Sequence, residues 1–124
     1  MPDEDRAEPA ARSFQLLEIR SRRVGDWVVL AVRGEIDLAT GPQLRATLTD
    51  TLRAEPAGLV VDLSDVAFLG STGLSALIEV SDALGPTRLR VVASTSPTLR
   101  PIELTGLHQV LAVFRDLDSA LEAP

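Results

Sequence analysis

The sequence predicts an α/β domain built on a mixed β-sheet with helices packed on it, in the element order ββαβαβαβα. Two β-prone runs come first, at residues 14–19 and 27–32, and the segment Arg22–Asp26 between them suits a hairpin connection. Short apolar runs then alternate with segments of helical period, which indicates crossover connections between parallel strands. An antiparallel opening pair followed by parallel strands makes the sheet mixed.

The first helix is predicted where the spacing of apolar residues changes from that of a strand to that of a helix, near residue 40. We expect Thr40 to cap a helix that has Pro42 at its second position and runs to about Arg53, since proline is favoured in a first turn. Leucines spaced by four share the face expected to contact the core, at positions 44, 48 and 52. The apolar run at residues 59–63 is typical of a strand covered on both sides, which predicts a central strand.

The second helix begins at the junction Gly70-Ser71-Thr72-Gly73 and stops at Gly85. We expect Ser75 to be a small packing residue, and Asp62, at the end of the central strand, to brace a turn at residues 64–65. The stripe predicted to be buried consists of Leu74, Leu77, Ile78 and Leu84.

The alternation continues to the end of the chain. Gly106 is well placed to end a helix in the left-handed conformation, and Asp116 or Asp118 can cap a last short helix. The predicted elements are a strand at residues 89–93, a helix at 96–105, a strand at 110–114 and a short helix that begins near residue 119.

One domain is expected over residues 13–124, because 124 residues that are 45% hydrophobic suffice for one core. Residues 1–12 are polar, contain two prolines and show no period, so they are predicted to be a disordered tail. The N-terminus does not resemble a signal peptide, and no apolar run approaches the roughly 20 residues of a membrane span. We therefore expect a cytoplasmic protein without membrane insertion.

Composition excludes several functional classes. A net charge of -6, from 12 basic and 18 acidic residues, gives no support to nucleic-acid binding. Every basic residue is arginine, which excludes a phosphate-loop lysine and Schiff-base chemistry. Thiolate and histidine-rich metal centres are excluded, because the chain has no cysteine and His108 is its single histidine, and the remaining chemistry is oxygen chemistry. We expect no cofactor and no enzymatic activity.

The junction places two adjacent hydroxyls, those of Ser71 and Thr72, at the entrance of a helix. The first-turn N–H groups lack intrahelical partners there and the positive end of the helix dipole is exposed, so an oxygen or a phosphate is accommodated. Taken alone, the two hydroxyls predict helix capping, a contribution of about 1 kcal/mol. Gly70 and Gly73 permit close backbone approach without any ligand.

Several segments together resemble the STAS domain, particularly the free-standing bacterial anti-sigma factor antagonists. The resemblance covers about residues 14–121. Each motif is weak alone, but their order and spacing over a whole domain make the match strong. The motifs are Arg33-Gly-Glu-Ile-Asp37, Val61-Asp-Leu-Ser-Asp-Val-Ala-Phe-Leu69 leading to Ser71-Thr-Gly-Leu-Ser-Ala-Leu77, and Leu104-Thr-Gly-Leu107.

The resemblance implies the STAS fold and a partner-switching module. In the family, the unmodified antagonist binds an anti-sigma factor that is itself a serine kinase, which frees a sigma factor; phosphorylation breaks the complex and a phosphatase restores it. The acceptor is the first hydroxyl of an Asp-Ser-Ser-Gly or Asp-Ser-Thr-Gly run, which maps onto Ser71. Thr72 then supports the site, with capping as its expected role, and Gly70 stands where the family has aspartate.

Further residues are expected to contribute to partner binding around the junction. Asp37 ends the second strand in a turn that can lie beside Ser71, where its carboxylate would add to the anionic field, orient the hydroxyl or bind basic groups of the partner. Glu35 is expected to face solvent or the partner. Phe68 is either a core residue or a contact at the rim.

Two other functions stay open at this point. The same domain serves in some proteins as a regulatory or structural subunit of a transport complex. A serine hydrolase with Ser71 as nucleophile and His108 as base is a remote alternative, because the Gly-x-Ser-x-Gly elbow is absent.

Overall fold

The computed structural model describes residues 16–124, and within them strands and helices alternate in the predicted order. The strands are β1 (Glu18–Val24), β2 (Trp27–Ile36), β3 (Gly58–Leu69), β4 (Leu89–Val92) and β5 (Ala112–Phe114). The helices are α1 (Gly41–Arg53), α2 (Ser71–Leu84), α3 (Ser96–Leu104) and α4 (Leu117–Glu122), with a 3-10 turn at Leu107–Gln109. The predicted tail and the first residues of the predicted domain lie outside the described residues.

The strands form one mixed sheet in the order β1-β2-β3-β4-β5. β1 and β2 are antiparallel, and each later neighbouring pair is parallel, so the predicted fold class is confirmed. Val24 pairs with Trp27, which leaves Gly25 and Asp26 as the hairpin turn. The predicted connection was too long, because the arginines before Val24 are paired within β1.

The two faces of the sheet are covered differently. The main core lies between the sheet and α1, α2 and α3, and it contains Leu44, Leu48, Leu77 and Ile102. On the outer face, α4 covers a smaller cluster of Val29, Val60, Val92 and Ala120. Because α4 covers only part of the outer face, β2 and β3 are buried on both faces near their starts and mainly on one face toward their ends.

β3 continues well past the apolar run that predicted it. The Asp62 carboxylate accepts hydrogen bonds from the Ser64 backbone N–H at 3.0 Å and from the Ser64 hydroxyl at 2.6 Å, as expected, but it does so inside the strand. The predicted turn at residues 64–65 is therefore wrong. Parallel pairing with β2 continues to Leu69 through two register shifts. This pairing keeps the chain in a strand where the polar side chains suggest that the strand ends.

The buried stripe of α2 is wider than predicted. Ala76 and Val80 are buried in it, whereas Ile78 is only half-buried. Ser75 is exposed, so its predicted packing role is wrong. Two predicted helix boundaries are confirmed. Gly106, after α3, is left-handed at φ 77°, and the Asp116 carboxylate caps α4 by accepting from the Ser119 N–H at 2.7 Å.

Candidate functional site

Ser71 is the first residue of α2, and its side chain is exposed. Gly70 is the N-cap, with extended backbone at φ -92° and ψ -176°. The N–H groups of Gly73 and Leu74 donate to the Gly70 carbonyl oxygen, each at 3.1 Å. Ser71 therefore lies in the first turn of α2, at the end of the helix where the dipole favours negative charge.

Gly70 holds the junction against β2 and leaves room for Phe68. The Gly70 N–H donates to the Ile36 carbonyl oxygen at 2.9 Å. A Cβ at position 70 would lie 3.1 Å from Cε2 of Phe68 and 3.3 Å from that same carbonyl oxygen. Phe68 is 51% exposed, so its ring borders the junction as a rim contact and not as a core residue.

Thr72 contacts the turn that follows β2, which comprises Asp37–Thr40 and is called here the Asp37 turn. The Thr72 hydroxyl donates to the Asp37 carbonyl oxygen at 3.0 Å. A Cβ on Gly41 would lie 2.9 Å from both Cβ and Oγ1 of Thr72, so the glycine permits this close approach. The capping role expected for Thr72 is wrong, because Gly70 occupies the N-cap and Thr72 is the second residue of the helix.

Gly73 sets the depth at which α2 packs on the sheet. It is buried, and a Cβ there would lie 2.6 Å from Cδ1 of Leu69 and 2.7 Å from Cγ2 of Ile36. Any larger side chain would push the start of α2 away from β2 and β3. This glycine therefore positions Ser71 without contacting it.

The Asp37 carboxylate braces its own turn. Its Oδ1 accepts from the N–H groups of Thr40 at 3.0 Å and Ala39 at 2.9 Å and from the Thr40 hydroxyl at 3.2 Å. These bonds, that of the Thr40 N–H foremost, outweigh the effect of desolvation and lower the pKa of Asp37. The turn, which Thr72 joins to the junction, thus carries a carboxylate whose pKa lies below its ordinary value.

Thr40 occupies the N-cap position of α1, as predicted, but its side chain does not cap the helix. The Thr40 hydroxyl donates to the Glu35 carbonyl oxygen at 2.6 Å and accepts from the Asp37 N–H at 3.0 Å. The threonine closes the Asp37 turn instead, because its hydroxyl is directed back toward the end of β2.

Two exposed side chains belong to the end of β2 and the Asp37 turn. Glu35 is exposed and pairs across the sheet with Phe68. Leu38, in the Asp37 turn, is 83% exposed. Sequence reasoning missed Leu38, although an isolated leucine between the polar and small residues of a turn was the available signal.

His108 does not join this group. It is exposed in the 3-10 turn that precedes β5, whereas Ser71 follows the end of β3. Ala112 of β5 pairs with Arg90 of β4, and Arg90 pairs with Val60 of β3, so Ala112 and Val60 lie at the same height in the sheet. Nine residues of strand separate Val60 from Leu69, roughly 30 Å at the usual rise, so the pair required for a hydrolase is not assembled.

Residues 16–124 contain no group of three or more acidic or histidine side chains that could hold a metal ion. In the same part of the chain, no helix has the length and apolar character needed to cross a membrane.

The STAS domain model matches residues 18–120, nearly the whole described region. The chain belongs to the STAS domain family. The expectation from the sequence motifs is confirmed, and the mixed five-stranded sheet is the fold of that family.

Relatives in this family carry the names of regulatory proteins. The anti-sigma-F factor antagonist RsfB of Mycobacterium tuberculosis is 43% identical over 94 residues, which cover 75% of this chain and 77% of the relative. The anti-sigma-B factor antagonist of Listeria monocytogenes is 28% identical over 99 residues, covering 78% and 86%. A crystal structure of an anti-sigma factor antagonist from Mycobacterium paratuberculosis superposes with a TM-score of 0.81 at 38% identity, covering 85% of this chain and 91% of that one.

Proposed function

We propose that this protein is an anti-sigma factor antagonist whose unphosphorylated form binds an anti-sigma factor that is also a serine kinase. Phosphorylation of Ser71 by that kinase ends the complex, and a phosphatase restores it. The names of the relatives support the antagonist role. The observation that carries the switch is the exposed Ser71 hydroxyl at the first position of α2, next to Gly70, which the exposed Phe68 ring borders.

A phosphate on Ser71 changes the surface without threatening the fold. It adds about -1.5 to -2 charges and three acceptor oxygens beside first-turn N–H groups that accommodate them. Glu35 and Asp37 already make the surroundings anionic. A partner that presents apolar groups or carboxylates there loses about 100-fold in affinity if repulsion and desolvation together cost about 3 kcal/mol.

Thr72 is not the acceptor in this proposal, although it is the adjacent hydroxyl. Its Oγ1 donates to the Asp37 carbonyl oxygen and lies against Gly41. Transfer of a phosphoryl group to this oxygen requires that the contact with the turn be broken first. The exposed Ser71 oxygen carries no such requirement.

The test compares Ser71→Asp, Ser71→Ala and Ser96→Asp in titrations with the purified anti-sigma factor kinase of the same organism. Ser96 is the matched control, since it is likewise an exposed first residue of a helix, α3. Ser71→Asp should weaken binding about 100-fold with an unchanged melting temperature, while the other two variants bind like the wild type. Full affinity of Ser71→Asp, or equal losses in both aspartate variants, refutes the switch.

Modification is tested separately by mass spectrometry after incubation with the kinase and ATP. Phosphate should appear on Ser71 in the wild-type chain, and Thr72, the hydroxyl that remains at the junction in Ser71→Ala, should stay unmodified. Phosphate on another residue of the wild-type chain removes Ser71 as the acceptor.

A further inference from the structure

We infer that Thr72 is a positioning residue that holds the Asp37 turn, and with it the exposed Leu38, against the phosphoacceptor helix. Leu38 and Ser71 then meet the partner as parts of one surface, and the partner presents an apolar patch to Leu38. This inference rests on the proposed function, since the partner is the kinase named there.

The Asp37 turn is braced internally and behaves as a unit. The Asp37 carboxylate accepts from the N–H groups of Ala39 and Thr40, and the Thr40 hydroxyl links the turn to the Glu35 carbonyl oxygen at 2.6 Å. None of these bonds involves α2. They preserve the shape of the turn and hold it to the end of β2, but they do not join it directly to the helix that carries Ser71.

Thr72 supplies that missing link. Its hydroxyl donates to the Asp37 carbonyl oxygen at 3.0 Å, an oxygen that also accepts from the Gly41 N–H at 2.7 Å. The nearby bond from Gly70 to Ile36 joins the junction to the end of β2 and not to the turn itself. Loss of the Thr72 donor therefore leaves the Asp37 carbonyl oxygen bonded and the turn folded, but removes the hydrogen bond that ties the turn to α2.

Gly41 allows α1 to approach Thr72 closely. A Cβ at position 41 would lie 2.9 Å from two atoms of Thr72. The backbone at the start of α1 therefore packs directly against the Thr72 side chain at the start of α2. A small change at Thr72 is transmitted to the turn without an intervening side chain that could absorb it.

Leu38 is the side chain whose placement this link controls. At 83% exposure it contributes little to the core, and with Phe68 it gives the rim of the site an apolar character. Apolar side chains on a rigid segment lose little conformational entropy on binding, which suits them to contact an apolar patch on a partner. The position of Leu38 relative to Ser71 then decides how well the kinase docks.

The first test uses the free protein. Thr72→Val keeps the shape and removes the donor, Thr72→Ser keeps the donor, and Thr105→Val removes a comparable hydroxyl-to-carbonyl bond, of 2.8 Å, at the end of α3. Backbone order parameters from nitrogen relaxation should fall at Leu38 and Ala39 in Thr72→Val only. Unchanged order parameters in Thr72→Val overturn the inference.

The second test uses the kinase. Thr72→Val should raise the KM for phosphorylation of Ser71 about fivefold, equivalent to about 1 kcal/mol, with unchanged kcat, and Thr72→Ser should restore the wild-type KM. In Leu38→Ala, adding Thr72→Val should raise KM little further, because both changes remove the same contact. A wild-type KM in Thr72→Val, or fully additive effects, overturns the inference.

The two tests also separate this inference from the function on which it rests. A wild-type chain that the kinase leaves unmodified at Ser71 refutes the proposed function. The order parameters of the free chain still decide whether Thr72 holds the turn, because they require no partner.

Discussion

The guanidinium carbon of Arg90 lies 4.3 Å from the centre of the Trp27 ring, on the sheet face that α4 covers. The two terminal nitrogens of Arg90 donate to the carbonyl oxygens of Ala120 at 2.5 Å and Pro124 at 3.1 Å. Arg90 is only 7% exposed. One buried cation therefore binds the end of α4 and stacks on an aromatic ring, which fastens the short helix to β4 and β2.

Arg90→Met should destabilise the protein by about 3 kcal/mol, because the variant loses two charge-assisted hydrogen bonds and the contact with the Trp27 ring. Urea unfolding followed by the fluorescence of Trp27, the only tryptophan, measures the change. Arg53→Met is the control, since the Arg53 side chain is 75% exposed, and it should change stability by less than about 0.5 kcal/mol. Equal stability of the two variants would contradict the role of Arg90.

Gly58→Ala should displace the Trp27 ring. Gly58 pairs with Trp27 across β2 and β3, and an added Cβ would overlap three atoms of the indole. The expected loss of stability is about 1–3 kcal/mol, with a shift in tryptophan emission. In a Trp27→Leu background, measured by circular dichroism, the cost should shrink. The same cost in both backgrounds would exclude a clash with the ring.

Asp37→Asn should lower the melting temperature at neutral pH and lose this effect in acid. Hydrogen bonds to the carboxylate, first that of the Thr40 N–H, lower the pKa of Asp37 in the folded chain. Their stabilisation is present above the carboxyl pKa of the unfolded chain and disappears as pH falls through the lower folded value. The difference between wild type and variant should therefore narrow as the pH falls below the ordinary aspartate pKa, 3.8.

Asp82→Asn, on the exposed side of α2, controls for the loss of one negative charge. A difference between wild type and Asp37→Asn that widened on acidification would contradict the hydrogen-bonded carboxylate.

Gly70→Asp tests the residue at which this chain departs from the family pattern. Aspartate is a better N-cap than glycine by a few tenths of a kcal/mol, but its Cβ would lie 3.1 Å from Cε2 of Phe68. We expect the substitution to raise the melting temperature in a Phe68→Ala background and not in the wild type. The same increase in both backgrounds would show that the ring does not constrain position 70.

Local signals in the sequence predicted the parts of the fold that local physics controls. Gly106 ends a helical stretch because a left-handed residue costs glycine nothing, and the helix does end there. The sequence did not predict the second half of β3, where exposed residues lie between buried ones, because its pairing with β2 involves residues about 30 positions away. Ser75 was misjudged for a similar reason: the face of α2 that contacts the core depends on where the sheet lies.

The candidate site likewise combines features that local sequence predicts with contacts between residues far apart in the chain. The sequence by itself determined that Ser71 follows an apolar strand and begins a helix, since strand and helix periods can be read over a few neighbouring residues. Only the tertiary structure decided that Thr72 bonds the Asp37 carbonyl oxygen, 35 positions earlier, and that Leu38, the next residue of that turn, is exposed. Those contacts follow from the parallel pairing of β2 with β3, which brings the ends of the two strands to one edge of the sheet.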